Sequence, residues 1–237
     1  MSLWDVVSAE WLPLLLGAIA AYLLGSFSPA IIVGKLFAKG DIRNMGSGNA
    51  GATNVLRSLG ALPAILTTLG DLAKSIGAVL LGQWLVNNLG AHLNSTRGDL
   101  IAMYLAGALC IVGHLYPVYY GFRGGKGVMA TLGMMLVLDW RVALTALAFF
   151  ILVVVLTQYV SLGSMLAGVV MTITTFLYRY YADKSSLSVA IGCTFGAAVI
   201  TVMVIIKHRQ NIVRLIHGTE NKLSLGKDKK KKEETHG

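Results

Sequence analysis

Charged residues are scarce in this chain. Asp, Glu, Lys and Arg make up 13% of its 237 residues, about half of the roughly 25% usual in a soluble domain. That shortage excludes an ordinary water-facing surface. Cysteine is nearly absent. Cys110 and Cys193 both lie inside apolar runs without metal-ligand spacing, which excludes a disulfide framework and leaves both as small buried fillers. No set of His, Cys and acidic residues has the spacing of a metal site, so no metal is expected. The first ten residues hold Asp5 and Glu10 but no Lys or Arg. The positive n-region of a cleaved signal is therefore missing, and the first apolar stretch is expected to stay as a helix. Strictly alternating strands are absent as well, which argues against a barrel.

What the chain has instead is apolar length. It is 55% hydrophobic, with a mean hydropathy of +0.69, and several runs reach the roughly 20 residues that span a bilayer. The expected fold is all-α: a polytopic integral membrane protein with segments at about residues 10–36, 61–86, 99–121, 127–139, 140–158, 161–181 and 187–207. The fourth is short and needs a thinned or protein-lined setting, or a re-entrant path. Abundant glycine, 27 residues, fits close helix packing in lipid. Residues 1–222 read as one transmembrane domain. Residues 223–237 read as a polar, lysine-rich tail too hydrophilic to pack.

Basic residues set the orientation. Lys35, Lys39, Arg43 and Arg57 flank the first connection, Arg123 and Lys126 the third, and Lys207, Arg209, Arg214 and Lys222 follow the last segment. The second connection, 87–98, holds only Arg97. The positive-inside rule puts the basic connections and the C-terminus in the cytoplasm and the N-terminus outside. An even number of crossings must then separate the loop at 121–127 from the tail, which gives about seven in all. The net charge of +9 follows from this topology and needs no nucleic acid.

Three cytoplasmic constellations carry chemistry. The first is Gly46-Ser47-Gly48-Asn49-Ala50-Gly51-Ala52-Thr53-Asn54, followed by Arg57. Glycine lets backbone N–H groups turn toward a ligand, Ser, Thr and Asn add donors, and Arg57 can grip a phosphate with two N–H groups. For Arg43 alone, routine topological charge is the better reading. The second runs from His114-Leu115-Tyr116-Pro117 to Gly124-Gly125-Lys126-Gly127. A helix ends near Pro117 and a glycine loop opens the next one, where free N–H groups and Lys126 attract anions. It is not a nucleotide P-loop, because Gly127 stands where Ser or Thr is required. Tyr116, Tyr119 and Tyr120 read as an interfacial belt, and His114 as a packed histidine. The third is Lys207-His208-Arg209-Gln210-Asn211, then Arg214 and Glu220. His208 and Asn211 share a face if the helix continues. An amphipathic interfacial helix accounts for Arg209 and Arg214. Glu220 ties the segment down. Asp71 and Lys74, three apart in the second segment, form either a functional acid–base pair or a mutual structural one. Ser161 and Ser164 near a cytoplasmic turn can line the same cavity.

Together, GSGNAGATN with the following VLR, GHLYPVYYGFRGGKGV and HRQNIVRLIHGTEN resemble the bacterial acyl-phosphate-dependent glycerol-3-phosphate acyltransferase family, over residues from about 20 to 222. The resemblance implies transfer of an acyl chain from acyl phosphate to the first hydroxyl of sn-glycerol 3-phosphate. The products are lysophosphatidic acid and phosphate, made without a cofactor by a monomer in the bacterial plasma membrane, with its active site on the cytoplasmic side. It implies that Ser47, Gly48, Asn49, Gly51, Thr53 and Asn54 bind the acyl-phosphate head. Arg57 and Lys126 hold glycerol 3-phosphate, His208 and Asn211 orient it, Gly124, Gly125, Gly127 and Ser164 complete that site, and Glu220 is structural. The chemistry asks for no protein nucleophile: acyl phosphate is a mixed anhydride, and alignment plus charge neutralisation suffice. The proton acceptor is the departing phosphate or His208, the resemblance favouring phosphate. A His followed five positions later by Asp, the mark of soluble-type acyltransferases, is absent after His114, His208 and His217. The competing readings are a transporter of an organic phosphate or phospholipid, which recognition elements crowded on one face argue against, and a membrane scaffold, which leaves the phosphate-type loops unexplained.

Overall fold

The structure, a computed structural model, describes residues 3–90 and 96–223. Among these the regular elements are all helical: α1 (Leu3–Ser26), α2 (Pro29–Ala38), α3 (Ala52–Leu59), α4 (Ala61–Leu89), α5 (Thr96–Leu115), α6 (Val128–Leu138), α7 (Trp140–Thr157), α8 (Val160–Leu177), α9 (Leu187–Lys207) and α10 (Arg209–Ile216). Helices satisfy their own backbone groups, as a bilayer requires. Of the expected tail, residues 224–237 lie outside the described residues, as does 91–95 of the second connection.

Among the described residues, six stretches are long and apolar enough to cross a membrane: Asp5–Ala38, Ala61–Leu89, Gly98–Tyr120, Trp140–Thr157, Val160–Ala182 and Leu187–Lys207. The protein is thus a multi-pass membrane protein. The first of these is not the single rod expected over 10–36. It kinks at Glu10 (φ −111°), just ahead of Pro13, and breaks again before Pro29, which opens α2. Proline lacks the N–H that would continue each ladder. The short segment expected at 127–139 is α6, 11 residues or about 16 Å, roughly half the hydrocarbon thickness. Ala130, Thr131, Gly133, Met134, Met135 and Leu138 are buried within it, against α4, α5 and α7.

Packing depends on missing side chains. α1 lies along α5, and where they cross a Cβ on Gly25 would stand 2.0 Å from the Cys110 carbonyl oxygen, and one on Gly113 2.2 Å from that of Tyr22. Small residues let the two backbones touch. Val79, Ile111, Leu115, Met134, Met135 and Ile200 form the main apolar core around α6. Outward-facing Leu15, Leu69, Val155, Phe195 and Val202 remain exposed, suited to lipid.

The two ends of the bundle differ. At one end Arg43 donates to the Tyr120 carbonyl (2.7 Å) and that of Arg123 (3.1 Å), and the Leu223 N–H donates to the Gln158 carbonyl (2.8 Å). Loops far apart in sequence therefore meet there. At the far end of α7, Arg141 pairs with Asp139 (2.8 Å) and Asp183 (2.8 Å), and Arg179 donates to the Leu138 carbonyl (2.8 Å).

Candidate active site

The first loop is folded around one side chain. Asp41 caps a short turn at Ile42–Asn44. Asn54, on the first turns of α3, is buried. Its Oδ1 accepts from the Ser47 N–H (2.8 Å), and its Nδ2 donates to the carbonyls of Ile42 (3.1 Å) and Met45 (2.9 Å). Gly46 sits at φ +53°, with no room for a Cβ, which would stand 2.4 Å from Asn54 Oδ1. Asn54 was expected to contact ligand. Its amide closes the loop through these bonds, and both Asn54 and Ser47 line the cavity. Arg43, read from sequence as incidental charge, is the clamp between this loop and the second.

The second loop rests on the end of α5. The Gly125 N–H donates to the His114 carbonyl (3.1 Å), and Gly127, at φ +84°, starts α6. That conformation is one glycine adopts without strain. The first residues of α6, Val128 and Met129, border the cavity beside Lys126. Lys126 Nζ donates to Asn211 Oδ1. Burial, with Arg214 and Arg57 nearby and Glu220 opposing, pulls its pKa down to about 8.

The third segment does not continue as one helix. His208 joins α9 to α10 at φ −92°, ψ 6°, yet it and Asn211 reach the same cavity. His208 Nδ1 lies 2.8 Å from the Val204 carbonyl. A carbonyl only accepts, so Nδ1 carries the proton and Nε2 keeps its lone pair. Burial and the Lys126 charge push the imidazole down to about 4, so it is neutral at pH 7. Glu220 is the hub of the C-terminal segment. It accepts from Asn211 Nδ2 (2.7 Å), Ser161 Oγ (2.8 Å) and Arg214 Nε (2.7 Å). Burial pushes its carboxyl up, but these donors together hold it below its ordinary value. Arg57 donates to the carbonyl of Asn221 (3.2 Å).

These pieces enclose one polar cavity of about 400 Å³. Ser47, Gly48, Asn49, Gly51, Thr53, Asn54, Arg57, Gly124, Gly125, Lys126, Gly127, Ser164, His208, Asn211 and Glu220 all line it. Ser164 Oγ donates to the Val160 carbonyl (2.8 Å). Arg214 also lines it, although sequence reading left it on an interfacial face. Its spacing of three from Asn211 was the available signal. Asp71 and His114 reach the cavity too, from inside α4 and α5. Tyr116 and Tyr119 are exposed as a belt would be, while Tyr120 packs on the apolar cluster under the first loop.

An apolar slot of about 60 Å³ adjoins this cavity, walled by Leu132, Met135, Leu147, Met171 and others from α6 to α9. Val128, Met129, Phe150 and Ser164 border both spaces. A cationic, donor-rich chamber joined to an apolar slot inside a helical membrane bundle defines a protein that handles an anionic, lipid-like molecule. Residues 15–218 match the family model described as glycerol-3-phosphate acyltransferase, and the chain belongs to that family. It is 43% identical to the glycerol-3-phosphate acyltransferase of Clostridioides difficile (strain 630), over 89% of this chain and 96% of that one. It is 39% identical to glycerol-3-phosphate acyltransferase 2 of Bacillus anthracis, over 88% and 98%. The fold matches crystal structures of PlsY (YgiH), an integral membrane glycerol 3-phosphate acyltransferase. In its glycerol 3-phosphate form the TM-score is 0.73 at 33% identity, covering 89% of this chain and 96% of that one. In its lysophosphatidic acid form it is 0.70 at 34%, covering 89% and 95%. The protein is accordingly an acyltransferase, which sets aside the transporter and scaffold readings.

Proposed function

We propose that the protein moves an acyl group from acyl phosphate to the sn-1 hydroxyl of glycerol 3-phosphate, giving lysophosphatidic acid and phosphate. The observation that carries this reading is the junction of the polar cavity with the apolar slot at Val128, Met129, Phe150 and Ser164. One substrate is an anion small enough for the chamber. The other has an anionic head and a hydrocarbon tail, which the two spaces suit together.

In this reading Ser47, Gly48, Asn49, Gly51 and Thr53 hold the acyl-phosphate head, and Asn54 holds the loop that presents them. Arg57, Lys126 and the glycines at 124, 125 and 127 hold the phosphate of glycerol 3-phosphate. Asn211, His208 and Ser164 orient its glycerol, and Glu220 fixes Asn211 and Arg214. The sn-1 oxygen attacks the carbonyl carbon, the carbon–oxygen bond to phosphate breaks, and the hydroxyl proton leaves with phosphate. Cations and loop N–H groups offset the charge that develops on oxygen. A histidine with a pKa of about 4 is a weak base at pH 7, which leaves the departing phosphate oxygen as the better acceptor.

The membrane arrangement proposed with it has seven crossings, α6 being the short one, with the N-terminus outside and the site on the cytoplasmic face of a bacterial plasma membrane. Two observations support this. α6 leaves the loop end at Gly127 and α7 returns to it at Gln158. Also, Arg43, Arg57, Lys126, Arg209 and Arg214 gather at that end and outnumber their acidic partners Asp41 and Glu220, whereas Arg141 and Arg179 at the other are matched by Asp139 and Asp183. A monomer contains every residue invoked.

The test is phosphate release by the purified chain given palmitoyl phosphate, with and without glycerol 3-phosphate. Release that depends on glycerol 3-phosphate and yields lysophosphatidic acid is expected. Arg57→Ala and Ser47→Ala should each lower kcat/KM by roughly 100-fold or more, while His208→Gln should keep a substantial part of kcat. Loss of the chemical step in His208→Gln with binding intact would overturn substrate-assisted proton removal. A folded wild-type protein without turnover would overturn the donor assignment.

A further inference from the structure

Beneath the second loop lies a buried cluster with no part in the chemistry above. Lys74 Nζ is 2.8 Å from Asp71 Oδ1, 2.9 Å from His114 Nδ1, and 2.8 and 3.1 Å from the carbonyls of Phe27 and Gly25. His114 Nδ1 is 3.2 Å from Asp71 Oδ1. All three side chains are buried. Four parts of the chain therefore converge on one ammonium group: the α1–α2 break, α4, α5 and, through His114, the glycine loop. The loop contact is intimate. A Cβ on Gly125 would stand 2.3 Å from His114 Nε2 and 2.5 Å from the Ala50 carbonyl, and one on Gly124 2.0 Å from the His114 carbonyl oxygen. Lys126 is the next residue.

Stability alone is a poor reason for these charges. A well-packed apolar set of equal volume usually does as well as a buried ion pair, and ionisable groups inside a membrane segment are costly to keep. Their placement has a geometric consequence instead. Gly125 sits on the His114 ring at Nε2 while Gly124 abuts the His114 main-chain carbonyl, and Asp71 and Lys74 hold the ring through Nδ1, on its other side. Ala50 of the first loop presses on Gly125 from elsewhere. Gly125, next to Lys126, is thus in close contact with both the His114 ring and the loop that carries Ser47.

We propose that Asp71, Lys74 and His114 form a positioning unit that sets the height of the Gly124–Gly125–Lys126 loop, and through it the place of the bound glycerol phosphate. This rests on the phosphate-binding role proposed for Lys126. The experiment uses the full chain in detergent with two changes: the volume-matched double variant Asp71→Leu with Lys74→Met, and His114→Phe, which keeps a ring under the loop but loses its polar link. Both should melt near the wild type. Their KM for glycerol 3-phosphate should rise roughly 10- to 100-fold, with KM for palmitoyl phosphate within about threefold. A second measurement needs no turnover: inorganic phosphate should protect Lys126 from an amine-reactive label, with the half-protecting concentration shifted by a similar factor in both variants. Folded variants with wild-type KM for both substrates and unshifted protection would overturn the proposal. So would a wild-type Lys126 that phosphate does not protect. Wild-type protection without acyl transfer would instead count against the reaction, and the protection shift would still decide the positioning role.

Discussion

Lys126 holds its charge in a place that works against it. Burial lowers its pKa to about 8, so at pH 7 most molecules carry the ammonium and at pH 9 most do not. A lysine that binds phosphate through its charge should lose that grip as pH rises through about 8. KM for glycerol 3-phosphate is therefore expected to climb between pH 7.5 and pH 9, with the KM of the acyl donor changing less. Measuring both at fixed ionic strength checks this, and a flat profile would remove Lys126 from the phosphate site. Residue types were legible here without the structure: Ser47, Arg57 and Lys126 were singled out because donors and cations cluster in glycine-rich connections, His208 and Asn211 because they are three apart, and the family resemblance implied their duties. Individual duties were less so. Asn54 differs from Asn49 only in position. Which of the two turns inward depends on Gly46 leaving room for its amide.

At the scale of elements, the loops can converge only because α1, α4 and α5 pack without gaps. Gly113 places no atom between α5 and the Tyr22 carbonyl of α1, whereas Gly77 on α4 has open space around it. Gly113→Ala must push the two helices apart and is expected to destabilise the protein by about 2 kcal/mol or more. Gly77→Ala should be neutral, or stabilising by up to about 1 kcal/mol from helix propensity. Thermal unfolding in detergent distinguishes them, and equal melting points would mean that the α1–α5 crossing is not closely packed. Helix existence and apolar length were readable from hydropathy. The break before Pro29 carried a signal in the proline itself. The change of direction at His208 had none, since nothing in Lys207–Asn211 forbids a continuous helix.

For the whole molecule the proposed topology puts the cavity at the cytoplasmic face of the membrane. Single cysteines at exposed Lys184 and exposed Thr219 sit at opposite ends of the bundle, and the native Cys110 and Cys193 are buried. On intact cells a membrane-impermeant maleimide should label Lys184→Cys and leave Thr219→Cys unmodified until the membrane is opened. The reverse pattern would invert the proposed topology. The basic residues that support it were visible along the chain, because the positive-inside rule acts on loops one at a time and needs no tertiary contact.

The chain by itself determined the membrane class, the approximate spans and the three polar stretches whose residues line the cavity. Each of these is a local property of composition or spacing. Only the tertiary structure decided how they combine. Asn211, Ser161 and Arg214 meet on Glu220, and Arg43 bridges to Tyr120 and Arg123, across separations of up to about eighty residues. The short segment expected at 127–139 finds its protein lining in α4, α5 and α7, which pack around α6. His114 and Asp71 joined Lys74 at the cavity floor because α4 and α5 lie side by side. Partners of this kind are chosen by packing between elements, which no single stretch of sequence encodes.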